Sequence, residues 1–473
     1  MRHTKIVATL GPASSDRATL EGMIAAGVDV VRLNFSHGTP DEHRARAALV
    51  RTAAASLDRP VAILGDLQGP KIRIGRFTDG AVVLEKGQTF HLDIDLTPGD
   101  QSRVGLDYPE LIDEVEAGDT LLLDDGKIQL RVVNKQAGTL QTQVLVGGRL
   151  ANHKGINKLG GGLSAPALTE KDRRDIRLAA EIGVDYLAVS FVKHAEEMET
   201  ARHLARNAGS RAKLIAKIER VEAVAALDSI LNASDGVMVA RGDLAVEVGD
   251  AAVPALQKQI LRRARALNRL SITATQMMES MIESPVPTRA EVSDVANAVL
   301  DGTDAVMLSA ETATGRYPVE AVEAMDRVCR QADLSRAPQL DQDLLGRRFS
   351  RVDEAIAVSA VWSAYHLGAK AIVALTQSGA TALWMSRIDS NLPIYAFTPD
   401  LTTFGQLALF RGVTPVYFPF EKHHLPGRKL LADITGRLQA HGWVTRGETI
   451  AITFGEPMGQ PGGSNTLKIV TLS

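Results

Sequence analysis

The sequence predicts an α/β chain: a (β/α)8 barrel of the TIM type, a small all-β domain inserted into it, and a C-terminal open-sheet α/β domain. Three observations predict this arrangement. Eight short apolar segments alternate with amphipathic helices, one long interruption lacks helical periodicity, and strand–helix alternation returns after a polar joint. The length of 473 residues agrees with about three domains of ~150 residues each.

The barrel is predicted from β-rich apolar runs, which are typical of buried parallel strands. Amphipathic segments between them, such as 16–26, 171–182 and 253–267, are predicted helices. The eight predicted strands are 5–9, 28–33, 61–64, 186–190, 213–218, 236–240, 271–275 and 304–309. We assign residues 1–69 and 163–335 to this barrel.

The inserted domain is predicted at 70–162, where short alternating segments are separated by turns such as Asp79-Gly80 and Asp125-Gly126. Its predicted strands are 81–84, 89–94, 120–123, 128–133 and 140–146. The insertion follows the third barrel strand, on the face that carries the chemistry of such barrels, so we expect it to act as a lid.

The C-terminal domain is predicted at 350–473, after a polar joint at 336–349 that contains Pro338. Its predicted strands are 371–375, 393–397, 414–418, 449–454 and 467–471, and its predicted helices are 353–367, 381–387 and 430–441. Strands that alternate with helices favour an open sheet.

Composition and charge exclude several classes of function. Lys plus Arg (53) nearly balances Asp plus Glu (56), and the few aromatic residues (4%) are not interleaved with a basic run, so we expect no nucleic-acid partner. No apolar run reaches 18 residues and no apolar signal segment precedes the first strand, so we expect no membrane association. The single cysteine, Cys329, excludes an internal disulfide and favours the cytoplasm.

Polar residues follow the carboxyl ends of six predicted barrel strands. Because these ends meet at one rim of a barrel, we expect the side chains to lie together. The rim residues are Arg32, Asn34, Ser36 and His37 after strand two, Asp66 on strand three, Lys217 and Glu219 on strand five, Gly242 and Asp243 on strand six, Thr275 on strand seven, and Ser309 and Glu311 on strand eight.

The residue types at the rim suit phosphate and metal chemistry. Glu219 and Asp243 are hard oxygen ligands without a nearby His or Cys, which favours Mg²⁺, with Mn²⁺ as the alternative. Lys217 is two residues from Glu219, so both can point the same way, and its ammonium could stabilise developing negative charge. The alternative for this pair is an ordinary salt bridge. Arg32 and Arg73 could bind phosphates as forks.

These residues belong to seven co-ordered motifs that resemble the pyruvate kinase family. The motifs are 4–14, 32–38, 69–73, 217–219, 238–247, 275–281 and 307–312, and the resemblance extends from about residue 2 to 473. It implies phosphoryl transfer from phosphoenolpyruvate to ADP, which gives pyruvate and ATP. It also implies a homotetramer.

By this resemblance, Lys217 stabilises the transferring phosphoryl group and the enolate, and Glu219 and Asp243 hold Mg²⁺. Gly242 and Thr275 bind the substrate carboxylate, with Thr275 and a water as the first candidate proton donor. Arg32 matches a residue that binds the substrate phosphate, and Ser309 and Glu311 match an extended proton relay. The residues that match nucleotide contacts are Asn34, Ser36, His37, Arg73 and Lys154. For Ser309 and Glu311 the alternative is loop and helix-cap structure.

One departure from the family pattern concerns monovalent cations. Many members carry an acidic residue at the position of Lys71 and a threonine at the position of Leu67; with residues matching Asn34, Ser36 and Asp66, these form a K⁺ site. Here the Lys71 ammonium can supply the missing charge. We therefore expect that the enzyme does not require K⁺.

The C-terminal domain contains a candidate effector site. The loop 376–381 follows a strand and opens a helix, and the hydroxyls of Thr376, Ser378 and Thr381 with the N–H of Gly379 suit a phosphate. The loop 462–466 matches the family's second effector-facing loop. Because Ala380 replaces a residue that is often basic, a sugar monophosphate, a nucleotide monophosphate and a sugar bisphosphate all remain candidates. The alternative is plain helix capping.

Two rival functions have to be distinguished from a kinase. One is a Mg²⁺-dependent lyase or aldolase that acts on the pyruvate enolate in the same barrel and needs no ADP. The other is an inactive relative that only senses sugar phosphates through the loop 376–381. The inserted domain and Lys154 favour the kinase. The adjacent histidines His423 and His424 are interpreted as solvent-facing loop residues.

Overall fold

The computed structural model describes residues 2–136, 138–336, 340, 348–419 and 428–472. The chain begins with three strands and two helices: β1 (Lys5–Thr9), α1 (Arg17–Ala26), β2 (Val30–Asn34), α2 (Pro40–Ser56) and β3 (Ala62–Asp66). Side-chain caps start both helices. The Asp16 carboxylate accepts from Thr19 N in α1, and Thr39 forms a reciprocal capping box with Glu42 in α2.

A β-rich insertion follows β3. It contains β4 (Ala81–Leu84), β5 (Thr89–Asp93), β6 (Arg103–Gly105), α3 (Leu111–Glu114), β7 (Thr120–Leu123), β8 (Ile128–Gln136), β9 (Thr139–Val146), β10 (Gly148–Ala151) and β11 (Ile156–Lys158). Strands β11-β7-β8-β9-β5-β6 form one sheet and β10-β4 a second. Alternating residues such as Phe90, Leu92, Leu121 and Leu130 bury the shared core.

The chain then returns to the barrel, where strands alternate with helices. These elements are α4 (Glu170–Ile182), β12 (Tyr186–Val189), α5 (Ala195–Asn207), β13 (Lys213–Ile218), α6 (Val221–Ala225), α7 (Leu227–Ala233), β14 (Gly236–Ala240), α8 (Arg241–Val248), α9 (Val253–Ala266), β15 (Leu270–Ala274), α10 (Arg289–Leu300), β16 (Ala305–Leu308), α11 (Ala310–Ala313) and α12 (Pro318–Ser335). Short 3-10 turns lie at Pro12–Ser14, Asp250–Ala252 and Glu279–Ile282.

Eight parallel strands close the barrel in the order β1-β16-β15-β14-β13-β12-β3-β2. The closing pair β1 and β16 is in register from Lys5 opposite Ala305 to Ala8 opposite Leu308. Fully buried residues from alternate positions fill the interior, among them Leu64, Tyr186 and Met238. The packed interior leaves the strand ends as the only places in the barrel where a polar site can be built.

The C-terminal part forms one five-stranded sheet, in the order β19-β18-β17-β20-β21. Its elements are α13 (Val352–His366), β17 (Ala371–Leu375), α14 (Ala380–Ser386), β18 (Ile394–Thr398), α15 (Leu401–Leu407), β19 (Val413–Tyr417), α16 (Arg428–Ala440), β20 (Thr449–Gly455) and β21 (Ser464–Thr471). Only β21 is antiparallel to its neighbour in this sheet.

Buried polar contacts join this sheet to the amino-terminal face of the barrel. Arg387, which follows α14, forms a bidentate ion pair with Asp304, with Nη1 2.9 Å from Oδ2. Lys5 Nζ donates to Val413 O at 2.7 Å. The C-terminal sheet therefore packs on the barrel face opposite the strand ends that carry the predicted chemistry.

The predicted fold class is confirmed, with shifts of strand and helix ends by a few residues. The predicted strand 271–275 is observed at Leu270–Ala274, so Thr275 lies outside it. Sequence reasoning did not predict β6, β10, β11 or α3, which are three or four residues long. His423, His424 and most of the joint 336–349 lie outside the described residues. Among those that are described, no helix combines the length and the apolar character needed to cross a bilayer.

Candidate functional site

Lys217 lies at the centre of the rim formed by the carboxyl ends of the barrel strands. It is the fifth residue of β13, and its Nζ lies 2.9 Å from Glu219 Oε1 and 3.4 Å from Asp66 Oδ1. The same nitrogen donates to Ser190 Oγ at 2.7 Å. Burial alone would lower the pKa of this amine, but the charges of Asp66 and Glu219 outweigh it and raise the pKa. Lys217 is therefore held as an ammonium at neutral pH.

Glu219 follows β13 and is fully buried at the carboxylate. Its Oε2 accepts from Phe191 N at 2.7 Å. Its Oε1 faces Lys217 but, among the described residues, receives no hydrogen bond of good geometry. Burial raises the pKa of Glu219, Lys217 opposes this and the charge of Asp243 adds to it. A buried carboxylate with an oxygen free and a second carboxylate in its field would gain from a bound cation.

Asp243 lies in the first turn of α8, at the end of β14. Its Oδ1 is 3.5 Å from Lys71 Nζ, which is also 3.8 Å from Asp125 Oδ1 of the insertion. Within the described residues, no group of three or more His, Cys, Asp and Glu side chains forms a metal cage. Two carboxylates, one with an orphaned oxygen, fit a hard divalent ion that takes its remaining ligands from substrate and water.

Gly242 and Thr275 are joined by a hydrogen bond of 2.9 Å from the Gly242 N–H to Thr275 Oγ1. Thr275 and Gln276 both adopt positive φ, +67° and +53°, which is uncommon for residues with a side chain. Arg241 holds this turn, because its Nη2 donates to Thr275 O at 2.7 Å while Nη1 pairs with Asp294. The Thr275 hydroxyl donates to Ala274 O at 2.7 Å, and Gly242 and Thr275 both line one cavity beside the rim.

Arg32, on β2, is held by two neighbours. Its Nε lies 2.7 Å from Asp66 Oδ2 and its Nη1 donates to Thr9 Oγ1 at 3.1 Å. Asn34 and Ser36 follow; the Asn34 side-chain oxygen accepts from Ser36 N at 3.1 Å. Asp66 therefore bridges Arg32 and Lys217, which fixes two cations on one buried carboxylate.

Two of the residues matched to the nucleotide, Arg73 and Lys154, form contacts within the insertion. Arg73 Nη1 donates to His153 O at 2.9 Å, and Lys154 Nζ pairs with Asp124 Oδ1 at 2.8 Å. Burial and the charges of Arg73 and Arg32 lower the pKa of His37. This lowered pKa favours the neutral imidazole of His37.

A cavity of about 650 Å³ lies between the rim and the insertion. It is lined by Lys71, Asp125, Gly242, Asp243, Thr275, Ser309 and Glu311, among others. Glu311 is buried and accepts from Ser309 N at 2.7 Å and Met278 N at 3.2 Å, and burial raises its pKa. The size is that of a cavity for a small-molecule ligand.

Sequence comparisons match known proteins along nearly the whole chain. The profile of the pyruvate kinase barrel domain matches residues 1–322, and that of the pyruvate kinase alpha/beta domain matches residues 354–470. "Pyruvate kinase II" of Salmonella typhimurium is 54% identical, covering 100% of this chain and 99% of its own. "Pyruvate kinase" of Haemophilus influenzae is 52% identical over 96% of both chains.

The chain belongs to the pyruvate kinase family.

In this pyruvate kinase family member, the candidate effector loop lies on the C-terminal sheet. Thr376 Oγ1 accepts from Gly379 N at 2.9 Å, and the Thr381 and Ser464 hydroxyls are 2.6 Å apart. The second loop, 462–466, thus contacts the first through Ser464. Beside this contact, residues of both loops line a small cavity of about 20 Å³. Ser378 faces away from this small cavity and lines another one between the barrel and the sheet.

Sequence reasoning assigned no role to several residues that hold the candidate site together. Ser190 follows β12, accepts from Lys217, and donates to Leu67 O at 2.7 Å. Phe191, at φ +57°, turns its N–H toward Glu219. Arg241 supports the Thr275 turn. Arg241 lies within the motif 238–247. Ser190 is the last residue of the predicted strand 186–190, and this position at a strand end could have indicated that it belongs to the rim.

Proposed function

We propose that this chain catalyses phosphoryl transfer from phosphoenolpyruvate to ADP, giving pyruvate and ATP. The observation that carries the proposal is the convergence of Lys217, Glu219, Asp243 and Arg32 on one rim under an inserted lid, in a chain of the pyruvate kinase family. In this reaction the phosphorus–oxygen bond between the phosphoryl group and the enol oxygen of phosphoenolpyruvate breaks, and a phosphorus–oxygen bond forms to a terminal phosphate oxygen of ADP. The enolate that remains takes up one proton at carbon.

The protein's part in this reaction is to position charge. The Arg32 guanidinium, oriented by Asp66, binds the substrate phosphate. The Gly242 N–H and Thr275 hydroxyl bind the substrate carboxylate. Lys217 remains protonated and stabilises the phosphoryl group and the oxygen that becomes an enolate. Thr275, with Ser309 and Glu311 behind it, orients the water that delivers the proton.

Glu219 and Asp243 would hold the divalent cation, Mg²⁺ or Mn²⁺. When bound, the cation supplies positive charge at the enolate oxygen and the phosphoryl group. Asn34, Ser36, His37, Arg73 and Lys154 bind the nucleotide as the insertion closes over the cavity. The separate sheets support the domain limits 1–69 with 163–335, 70–162, and 350–473.

We extend the proposal to the K⁺ requirement, the effector site, the oligomeric state and the location of the enzyme. Lys71 makes K⁺ unnecessary, because its ammonium brings a positive charge to the cavity. The loop 376–381, through Thr376, Ser378, Gly379 and Thr381, binds a phosphorylated effector. The enzyme is a homotetramer. Its location is the cytoplasm, where the buried Cys329, whose pKa burial raises to about 12, stays a thiol.

Initial rates of pyruvate formation test the proposal. With phosphoenolpyruvate and Mg²⁺, pyruvate should appear only when ADP is added, and ATP should form in equal amount. Pyruvate release without ADP would instead support the lyase or aldolase, and absence of turnover under all conditions would support the inactive sensor. The full-length relatives named pyruvate kinase do not favour either alternative.

A further inference from the structure

A cavity of about 360 Å³ lies between the barrel and the C-terminal sheet, at the opposite end of the barrel from the rim. The barrel contributes Lys213, Asp235 and the segment 267–270, all at the amino-terminal ends of strands. Lys213 begins the same strand, β13, that carries Lys217 near its other end. The C-terminal part contributes Arg351, Trp384 and Phe410. We call this space the interdomain cavity.

The interdomain cavity is positively charged. Its lining includes three cationic side chains, Lys213, Arg269 and Arg351, and one carboxylate, Asp235. Arg351 is already neutralised by Asp353 at 2.8 Å, so Lys213 and Arg269 supply the positive charge. Asp235 is already engaged, because its Oδ2 binds Arg202 Nη1 at 3.0 Å and accepts from Leu214 N at 2.8 Å. It lies 3.9 Å from Lys213 Nζ, which is a weak pair. An anion would therefore find uncompensated charge here.

Arg269 has donor capacity that the protein does not use. Its Nη2 donates to Asn232 O at 3.2 Å, while its Nε is shielded from solvent and finds no acceptor among the residues that the structure describes. Burial lowers the pKa of this guanidinium, with the charge of Asp235 opposing. The unpartnered side-chain oxygen of Asn268 is beside it in the chain. Such groups gain free energy when a ligand supplies the missing partner.

The opposite wall is apolar and partly aromatic. Leu383 and Trp384 of α14 and Phe410 face the same space, and Trp384 is only half-buried. A flat ring can stack on an indole while its acidic group reaches the guanidinium side. A charged wall opposite an aromatic wall selects for one class of ligand, an anion that carries a ring.

A second cavity, of about 330 Å³, adjoins the first, since Lys213 and Asp235 line both. It adds Arg202, Arg206 and Arg211, of which Arg202 is paired with Asp235 and Arg211 with Asp400, each at 3.0 Å. The cationic surface thus continues outward from the interdomain cavity. It provides an electrostatic path by which an anion can approach.

We propose that the interdomain cavity binds a small organic anion that combines a phosphate with a flat ring. The phosphate lies at Lys213 and Arg269, and the ring lies against Trp384. This site is separate from the rim and from the small cavity between the loops 376–381 and 462–466, but Ser378, Gly379 and Ala380 of the first loop also line it. Arg351 connects the two regions, since a Cβ built on Gly462 would lie 2.9 Å from Arg351 Nη2. A ligand that contacts Arg351 therefore also affects the position of the loop 462–466.

Calorimetric titration of the full-length chain with phenyl phosphate, without substrates, tests the proposal independently of catalysis. We expect saturable binding at least tenfold tighter than that of inorganic phosphate, which lacks the ring. Lys213→Met and Arg269→Met should each weaken binding at least tenfold. Arg177→Met, which removes an exposed cation from α4, should leave it unchanged. Thr381→Val, which alters the small loop cavity, should also leave it unchanged.

Three results would overturn the assignment. One is the absence of saturable binding to the wild-type chain, and another is equal affinity for phenyl and inorganic phosphate. The third is loss of binding in Thr381→Val with retention in Lys213→Met, which would assign the phosphate to the loop cavity. If Arg269→Met does not fold, Lys213→Met decides alone, because Lys213 is half-buried and weakly paired. Failure of pyruvate formation would leave this titration unaffected.

Discussion

Replacement of Lys217 by methionine should abolish most of the activity while leaving substrate binding nearly intact. The change keeps the length of the side chain and removes an ammonium that lies 2.7 Å from Ser190 Oγ, 2.9 Å from Glu219 Oε1 and 3.4 Å from Asp66 Oδ1. A preorganised donor at a developing oxyanion contributes about 3–4 kcal/mol. At 1.36 kcal/mol per tenfold, kcat should fall about 150- to 900-fold.

Stability has to be followed in the same experiment. Without the ammonium, the carboxylates of Glu219 and Asp66, with side chains 0% and 1% exposed, lose a counter-charge. Arg32 still pairs with Asp66, so we expect a destabilisation of about 3 kcal/mol rather than unfolding. Lys213→Met is the matched control, since Lys213 is on the same strand at the opposite barrel face. It should retain full kcat.

The assay is pyruvate formation at saturating phosphoenolpyruvate and ADP, with the KM for phosphoenolpyruvate measured in parallel. We expect Lys217→Met to lower kcat with a change in KM of less than about fivefold, since the interaction is made chiefly in the transition state. A folded Lys217→Met variant that keeps more than a tenth of the wild-type kcat would refute the role assigned to this ammonium.

Three further predictions concern the monovalent cation, the hinge between the insertion and the barrel, and the pH dependence of stability. Removal of K⁺ should change the wild-type rate less than tenfold, whereas Lys71→Glu, which places a carboxylate beside Asp243, should make the rate depend on K⁺ at least tenfold. Lys193 Nζ donates to the carbonyls of residues 163, 164 and 165 at 3.3, 3.1 and 2.9 Å, where the insertion returns to the barrel. Lys193→Met should therefore loosen the hinge of the inserted domain. We expect the KM for ADP to rise roughly threefold to tenfold, with a smaller change in kcat. Burial raises the pKa of Asp185 to about 6 from 3.8, so its stabilising contribution is complete below its unfolded value and is lost as pH rises through about 6. Relative to wild type, Asp185→Asn should therefore gain about 3 kcal/mol of stability between pH 4 and 8, measured from urea midpoints.

Each of these predictions has a contrary result. A tenfold or greater loss of wild-type activity without K⁺ would show that Lys71 does not replace the monovalent cation. Equal effects of Lys193→Met on KM for ADP and for phosphoenolpyruvate, with an unchanged lid position, would make Lys193 merely structural. A pH-independent difference between Asp185→Asn and wild type would mean that Asp185 is ionised at its usual pKa in the folded protein.

The rim could be predicted because it depends on local pattern. The carboxyl ends of parallel strands share one face of a barrel, and alternate residues of an extended segment point the same way. Together these two rules bring Lys217 and Glu219 toward one point without knowledge of distant contacts. The eight apolar runs predict the barrel for the same reason, since each is bounded by polar residues and followed by a helical period.

The supporting contacts could not be predicted, because they join residues that are far apart in the chain. The approach of Arg241 to Thr275, which stabilises two residues at positive φ, depends on how α8 packs beside β15. The hydrogen bond from Phe191 N to Glu219 depends on a tight turn after β12. The pairing of Lys71 with Asp125 depends on the angle of the insertion relative to the barrel. Tertiary packing decides all three.

A titration of Mn²⁺ in the presence of phosphoenolpyruvate, followed by the electron paramagnetic resonance of free Mn²⁺, tests the central claim most directly. Wild type should bind one ion at this site. Glu219→Gln and Asp243→Asn should each weaken its binding at least tenfold. Asp125→Asn, a change in the lid carboxylate near Lys71, should leave it unchanged. Wild-type affinity in both Glu219→Gln and Asp243→Asn would contradict the assignment of these carboxylates as the metal ligands.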